Sequence, residues 1–260
     1  MEIDSTVEEV LRRRAKAVLR QRARALRGTI PRAALAGRSA RIIAALTRLP
    51  ILQALHLGIE PAAPAAEPGA DAAPRAEVSP HPPPGEGDAR AEGSAGQVEG
   101  DPGRSIAVAL FYPIEGKNEV DLRPLDAALR DRGARVAYPS IDPETRVMTF
   151  RFVSNPETME ERGLGFREPA ESDEEATRID IIVVPALQID PRGHRIGYGA
   201  GFYDRALPRF APPALKVGVA YDFQLISEVP VTEGDVALDV VVTDTRTIEV
   251  EPEGATSSPA

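Results

Sequence analysis

Residues 195–205 read Arg-Ile-Gly-Tyr-Gly-Ala-Gly-Phe-Tyr-Asp-Arg. Glycines alternate at Gly197, Gly199 and Gly201, with Arg195 and Arg205 at the two ends and Asp204 beside the second arginine. Without a Cβ, such positions let the backbone turn sharply and bring its N–H groups close to an anion. The arginines add permanent charge and forked donors. A carboxylate at Asp204 can hold magnesium on the same phosphates. Phosphate binding is the chemistry this combination suits. A plainer reading is a tight strand-to-helix turn packed by Tyr198, Phe202 and Tyr203, because the spacing matches neither the Gly-Lys-Ser/Thr phosphate loop nor the dinucleotide fingerprint.

The elements that would position this loop can be read on either side of it. Ile179–Pro185 is almost continuously apolar, as in a buried parallel strand, and a glycine-rich loop after such a strand is a usual phosphate site of α/β sheets. Residues 5–27 read as a helix with an apolar series of Leu11, Ala15, Val18, Leu19, Ala25 and Leu26. Lys16, Arg20, Arg24 and Arg27 share one face of it, for which a solvated basic face is the plainer account. A second helix runs from Pro31 or Ser39 to about Leu57. Strands are expected at 106–112, 135–138, 147–153, 179–185, 217–220 and 240–242, with helices at 121–132, closed by Gly133, and 202–207.

Between them, 58–104 is rich in Pro, Ala, Gly and Glu and nearly free of large apolar side chains, so it cannot bury enough surface to offset chain entropy. The expected organisation is one α/β domain over 1–57 and 105–250, a disordered insertion at 58–104 and a disordered tail at 251–260. The fold class is a three-layer α/β/α sandwich with a mostly parallel sheet, preceded by two N-terminal helices. Without the insertion roughly 200 residues remain, enough for one full core.

Composition narrows the chemistry. There is no cysteine, which excludes disulfides, thiolate metal sites and a cysteine nucleophile. His56, His81 and His194 are too scattered for a histidine metal site, and His194 reads as a loop residue first. A net charge of −9 argues against nucleic acid as the main partner, although residues 11–27 carry many cations and no acid. No apolar run is long enough to span a membrane, and the acids Glu2, Asp4, Glu8 and Glu9 argue against a transit peptide, so the expected compartment is the cytoplasm.

The eleven-residue string resembles the signature of the 5-formyltetrahydrofolate cyclo-ligase family, and five further blocks follow in the family's order. They are Lys16-Ala17-Val18-Leu19-Arg20, Glu119-Val120-Asp121, Gly165-Phe166-Arg167-Glu168-Pro169, Val183-Val184-Pro185 ahead of Asp190, and the run Gln224, Pro230, Asp235, Asp239. The resemblance covers about residues 10–50 and 106–245. It implies ATP- and Mg²⁺-dependent closure of 5-formyltetrahydrofolate, with or without a polyglutamate tail, to 5,10-methenyltetrahydrofolate, through a phosphorylated formyl group.

The resemblance also implies roles. Arg195, Tyr203 and Asp204 would be catalytic. Lys16, Arg20 and the loop Arg195, Ile196, Gly197, Tyr198, Gly199, Ala200, Gly201, Phe202 and Tyr203 would bind ATP. Glu119, Ile114, Met148, Tyr198 and Phe202 would contact the folate, and Asp204 with Asp235 would hold magnesium. Each has a bland counterpart: Glu119 as a helix-cap neighbour, Met148 and Phe150 as core, Asp239 as a strand-start anchor. Phe202 stands where many relatives have Tyr, and Leu122 where Thr often follows, which bears on folate affinity. A monomer is expected, with no membrane or nucleic-acid partner. Two other readings stand beside this one: an ATP-using relative acting on a different small substrate, and a non-catalytic polyanion-binding protein using the basic helix.

Overall fold

The computed structural model describes residues 5–55, 104–163 and 165–251. The expected insertion and tail lie outside these residues except for Arg104 and Glu251, as do His56 and His81. Helix α1 spans Ser5–Thr29, α2 Arg32–Leu46 and the single turn α3 Pro50–Gln53. The second helix therefore stops short of the expected Leu57. Pro50 lacks an N–H and holds Leu49 extended (φ −61°, ψ 134°), which ends one helix and starts another.

Helix α1 also corrects the sequence reading of its apolar side. Its buried side chains are Lys16, Ala23 and Arg27, while Leu11, Val18 and Leu26 are about half exposed. The periodicity marks a helix correctly but not the face that is covered. Polar partners on the rest of the protein decide that face, as the site below shows.

The chain continues as β1 (Ala107–Ala109), α4 (Arg123–Asp131), β2 (Arg135–Ile141), β3 (Met148–Phe152), β4 (Glu160–Glu161), β5 (Arg167–Glu168), β6 (Ile181–Pro185), β7 (Gln188–Ile189), β8 (Arg195–Ile196), α5 (Phe202–Ala206), β9 (Leu215–Val219), β10 (Val240–Val242) and β11 (Thr247–Glu249). Strand β1 is shorter than expected because the chain leaves the sheet after Leu110, whose amide still bonds Ala137 O at 2.9 Å. Strand β11 carries no sequence signal beyond a few residues of alternation.

Seven strands form one sheet in the order β11-β10-β9-β6-β1-β2-β3. The five from β10 to β2 are parallel, and antiparallel β11 and β3 close the two edges. The apolar run of β6 serves both faces. Ile181 and Val183 join α2, α3 and α4 side chains such as Ile42, Leu52 and Leu125, while Ile182 and Val184 join Ala206, Leu207 and Phe210. This is the expected layered α/β arrangement. From β1 the chain crosses one face to β2; from β6 it crosses the other to β9. Adjacent strands with diverging connections leave a crevice at their carboxyl ends, where open α/β sheets bind ligands.

The turn joining β7 to β8 aims Arg195 at that crevice. Asp190 Oδ1 accepts from the amides of Arg192 and His194 (both 3.0 Å), and Oδ2 accepts from Val229 N (2.8 Å). Gly193 has φ +80°, and a Cβ there would meet Leu238 O at 2.5 Å. Gly193→Ala is expected to lower unfolding stability in urea by about 1–3 kcal/mol from the left-handed backbone alone, with the clash in addition. An unchanged urea midpoint would show that the turn relaxes freely.

Candidate active site

Four cations on one face of α1 meet the glycine loop and its neighbours. Arg20 Nε donates to Gly197 O at 2.9 Å, and Arg24 Nη2 donates to Tyr198 O at 3.0 Å. Gly199, at φ +106°, lies so close to Arg20 that a Cβ would sit 3.1 Å from its Cζ. Lys16 bonds Asp235 and Thr232, and Arg27 bonds the Tyr198 hydroxyl. The solvated-face account of Lys16 and Arg20 is thus replaced by a docked one. The loop's carbonyls at 197 and 198 are held by arginines, whereas the amides from Gly197 to Gly201 have no acceptor among the described residues. A row of N–H groups with cations behind it suits an anion.

Two carboxylates stand next to this row. Asp204 Oδ1 accepts from Arg195 Nη2 (2.7 Å) and Val236 N (3.2 Å). Asp235 Oδ2 accepts from Lys16 and from both the amide (2.7 Å) and hydroxyl (3.1 Å) of Thr232. Among the described residues, one oxygen of each takes every hydrogen bond and the other is left over. Among the described residues no three His, Cys, Asp or Glu gather into a cage. Two carboxylates with spare oxygens fit magnesium, which keeps waters and takes phosphate oxygens rather than demanding an all-protein shell. Arg195 is buried; burial pulls its pKa below the ordinary value, while the charges of Asp204 and Asp235 push back.

The other end of the crevice is built on Glu119. Its Oε2 accepts from Ile114 N (2.7 Å) and its Oε1 from the Tyr198 hydroxyl (2.8 Å). Burial raises the Glu119 pKa, and the Ile114 amide, Arg27, Tyr198 and Lys117 oppose that rise. The Tyr198 hydroxyl is pushed well above its ordinary range, mainly by burial and then by the Glu119 charge. Met148 and Ile141 form an apolar wall between the two ends, and Phe150 behind them is core.

These groups enclose a cavity of about 760 Å³, within the size range of small-molecule sites. Every residue to which the sequence analysis gave an ATP-, metal- or folate-binding role lines it, whereas His194 does not, nor does Arg205, which is exposed and donates to Ala200 O at 3.0 Å. The profile of the 5-formyltetrahydrofolate cyclo-ligase family matches residues 102–244. The chain belongs to this family of ligases. The family that the glycine-loop string resembles is therefore the right one.

Among its relatives, the 5-formyltetrahydrofolate cyclo-ligase of Escherichia coli K12 is 32% identical over 148 residues, 55% of this chain and 80% of that protein. The Mycolicibacterium smegmatis cyclo-ligase is 35% identical over 150 residues, 54% of this chain and 75% of that one. The fold matches the NMR structure of Aquifex aeolicus 5,10-methenyltetrahydrofolate synthetase with a TM-score of 0.64 at 24% identity, covering 94% of this chain and 96% of that one. It also matches a Mycoplasma pneumoniae 5,10-methenyltetrahydrofolate synthetase at 0.54 and 18% identity, over 88% and 98%. Among the described residues no helix is long and apolar enough to cross a membrane.

Sequence reasoning missed several cavity residues. Arg24 continues the Lys16–Arg20 spacing, and that spacing is the signal that could have found it. Thr232, Lys117 and Arg146 line the cavity but carry no motif of their own. Phe166 also lines it, and its neighbour Glu168 ties the segment to the end of β2 through Ile141 N (2.7 Å). Burial raises the Glu168 pKa, with the Ile141 amide and Arg162 opposing. A raised folded-state pKa gives stability that is present at acid pH and lost as pH climbs through that pKa. Glu168→Gln keeps the acceptor and cannot ionise. Wild type should therefore lose melting temperature relative to this variant as pH rises from the ordinary glutamate range toward neutrality. A constant difference across that range would contradict it.

Proposed function

We propose that this chain closes 5-formyltetrahydrofolate to 5,10-methenyltetrahydrofolate, with ATP converted to ADP and phosphate. The observation that carries this reading is the glycine loop whose carbonyls are pinned by Arg20 and Arg24 while its amides are left for an anion. Phosphoryl transfer needs little beyond positioning and charge stabilisation, and these are what this end of the cavity offers. The formyl oxygen attacks the γ-phosphorus, and ADP departs. N10 then attacks the activated formyl carbon, losing its proton, and phosphate leaves with the formyl oxygen.

The amides at 197–201 would cradle the phosphates, with Lys16, Arg20 and Arg195 neutralising them. Asp204 and Asp235 would hold magnesium through their spare oxygens, and the ion would offset charge on the transferred group. Freeing Lys16 from Asp235 would let it turn to the nucleotide. Glu119 would accept hydrogen bonds from the pterin, which lies along Met148 and Ile141 and against Tyr198 and Phe202. The alternative of polyanion binding gains nothing from the geometry, because Lys16, Arg20, Arg24 and Arg27 are engaged within the protein.

The test is the appearance of methenyltetrahydrofolate absorbance when the protein meets 5-formyltetrahydrofolate, ATP and magnesium. Product that requires both ATP and magnesium supports the reading; folded, ATP-binding protein that makes none overturns it. Asp204→Asn and Arg195→Ala should each lower kcat by ~10²–10³ with the fold intact. Wild-type rates in either would remove that residue from the chemistry.

A further inference from the structure

Arg27 does not line the cavity, yet its charge is placed against the residue at the cavity's far end. It is 4% exposed, and its Nε is buried without a partner among the described residues. Its Nη2 bonds the Tyr198 hydroxyl and stands 3.8 Å from Glu119 Oε1. The guanidinium lies 5.7 Å from the centroid of the Tyr198 ring. Asn118, next to Glu119, donates from Nδ2 to the carbonyls of Arg27 and Ile30 (both 3.0 Å), which fixes the end of α1 against this segment. An arginine so buried is costly unless its charge is used. Among the described residues, the buried carboxylate within ion-pair reach of it is Glu119.

The geometry points to Arg27 as a positioning residue: from behind the cavity wall it keeps Glu119 ionised and Tyr198 turned toward it, so that α1 sets affinity for the pterin half of the substrate. This rests on the proposed reaction only for the name of the ligand. The groups facing Glu119 are Arg27 from α1, Tyr198 from the glycine loop, Tyr203 from α5, and Lys117 and the Ile114 amide from its own segment. Burial works to protonate Glu119. Arg27 is the buried cation among the groups that resist this, while Lys117 is exposed.

Arg27→Met keeps length and apolar bulk and removes the charge; Arg27→Lys restores a charge. Carboxyl ¹³C NMR of ligand-free protein, with Glu119 assigned through Glu119→Gln, reads the titration directly. Arg27→Met should raise the Glu119 pKa by about 1–3 units, and Arg27→Lys should return most of it. In kinetics, KM for 5-formyltetrahydrofolate should rise as pH falls through that pKa, so the rise begins at higher pH in Arg27→Met, with kcat at saturation nearly unchanged. An unmoved Glu119 titration in folded Arg27→Met overturns the proposal, as does an equal loss of kcat and kcat/KM at every pH. If Arg27→Met does not fold, an Arg27→Lys protein with a wild-type Glu119 titration and KM profile supports it, and one that loses kcat at every pH overturns it. Wild-type protein inactive on 5-formyltetrahydrofolate overturns the reaction instead, and the NMR result still judges Arg27.

Discussion

The contact between the cationic face of α1 and the glycine loop is the interaction on which the site depends. A loop with three glycines in five residues has more backbone freedom to lose than most of its length. Here that freedom is removed from outside, by Arg20 and Arg24 holding two successive carbonyls. The cost is visible on the other side of the helix, where Val7, Val10, Leu11, Val18 and Leu26 remain about half exposed. Rotating α1 to cover them would return about 1 kcal/mol each at best. It would also strip partly buried Asp235 of Lys16 and buried Glu119 of Arg27, and release the Gly197 and Tyr198 carbonyls from Arg20 and Arg24. The helix presents its charge inward and leaves these apolar side chains half exposed.

The sheet supplies what the helix cannot, a fixed place for both ends of the cavity. Because connections leave β1 and β6 on opposite faces, the segments after them diverge and then fold back over the strand ends. The segment after β1 brings Ile114 and Glu119; the one after β6 brings Arg195 and the glycine loop. The Tyr198–Glu119 bond joins the two segments across 79 residues of sequence. The two ends of the cavity are therefore carried on segments that leave adjacent strands of one sheet.

Much of this is legible in the sequence because the chemistry is concentrated in one contiguous string. Arg195 to Asp204 need only be read together, and β6 announces itself by an apolar run that must be buried on both faces. What is not legible depends on which surfaces meet. Periodicity groups Lys16, Arg20, Arg24 and Arg27 on one face but cannot show that this face is the covered one, since hydrophobic burial normally decides that and here does not. The pairing of Asp204 with Arg195 and of Asp235 with Lys16 also lies beyond reach. It requires the β9–β10 connection to pass beside the glycine loop, which no local pattern specifies. The break before Pro50 is different, because the proline itself marks it; the missing N–H is a stronger signal than the helical spacing around it.

The same buried arrangement sets two demands on Glu119 that pull in opposite directions. In the role proposed for it, Glu119 must grip a substrate donor from a desolvated position, and desolvation favours the neutral form, which grips less well. Bringing water in would restore the charge and weaken every contact in the cavity. The protein instead places a second buried charge behind the first, through Arg27, and orients the pair with the Tyr198 hydroxyl between them. That second charge opposes the rise that burial imposes on the Glu119 pKa. The helix that pins the glycine loop is also the helix that supplies this charge, so one element conditions both ends of the cavity.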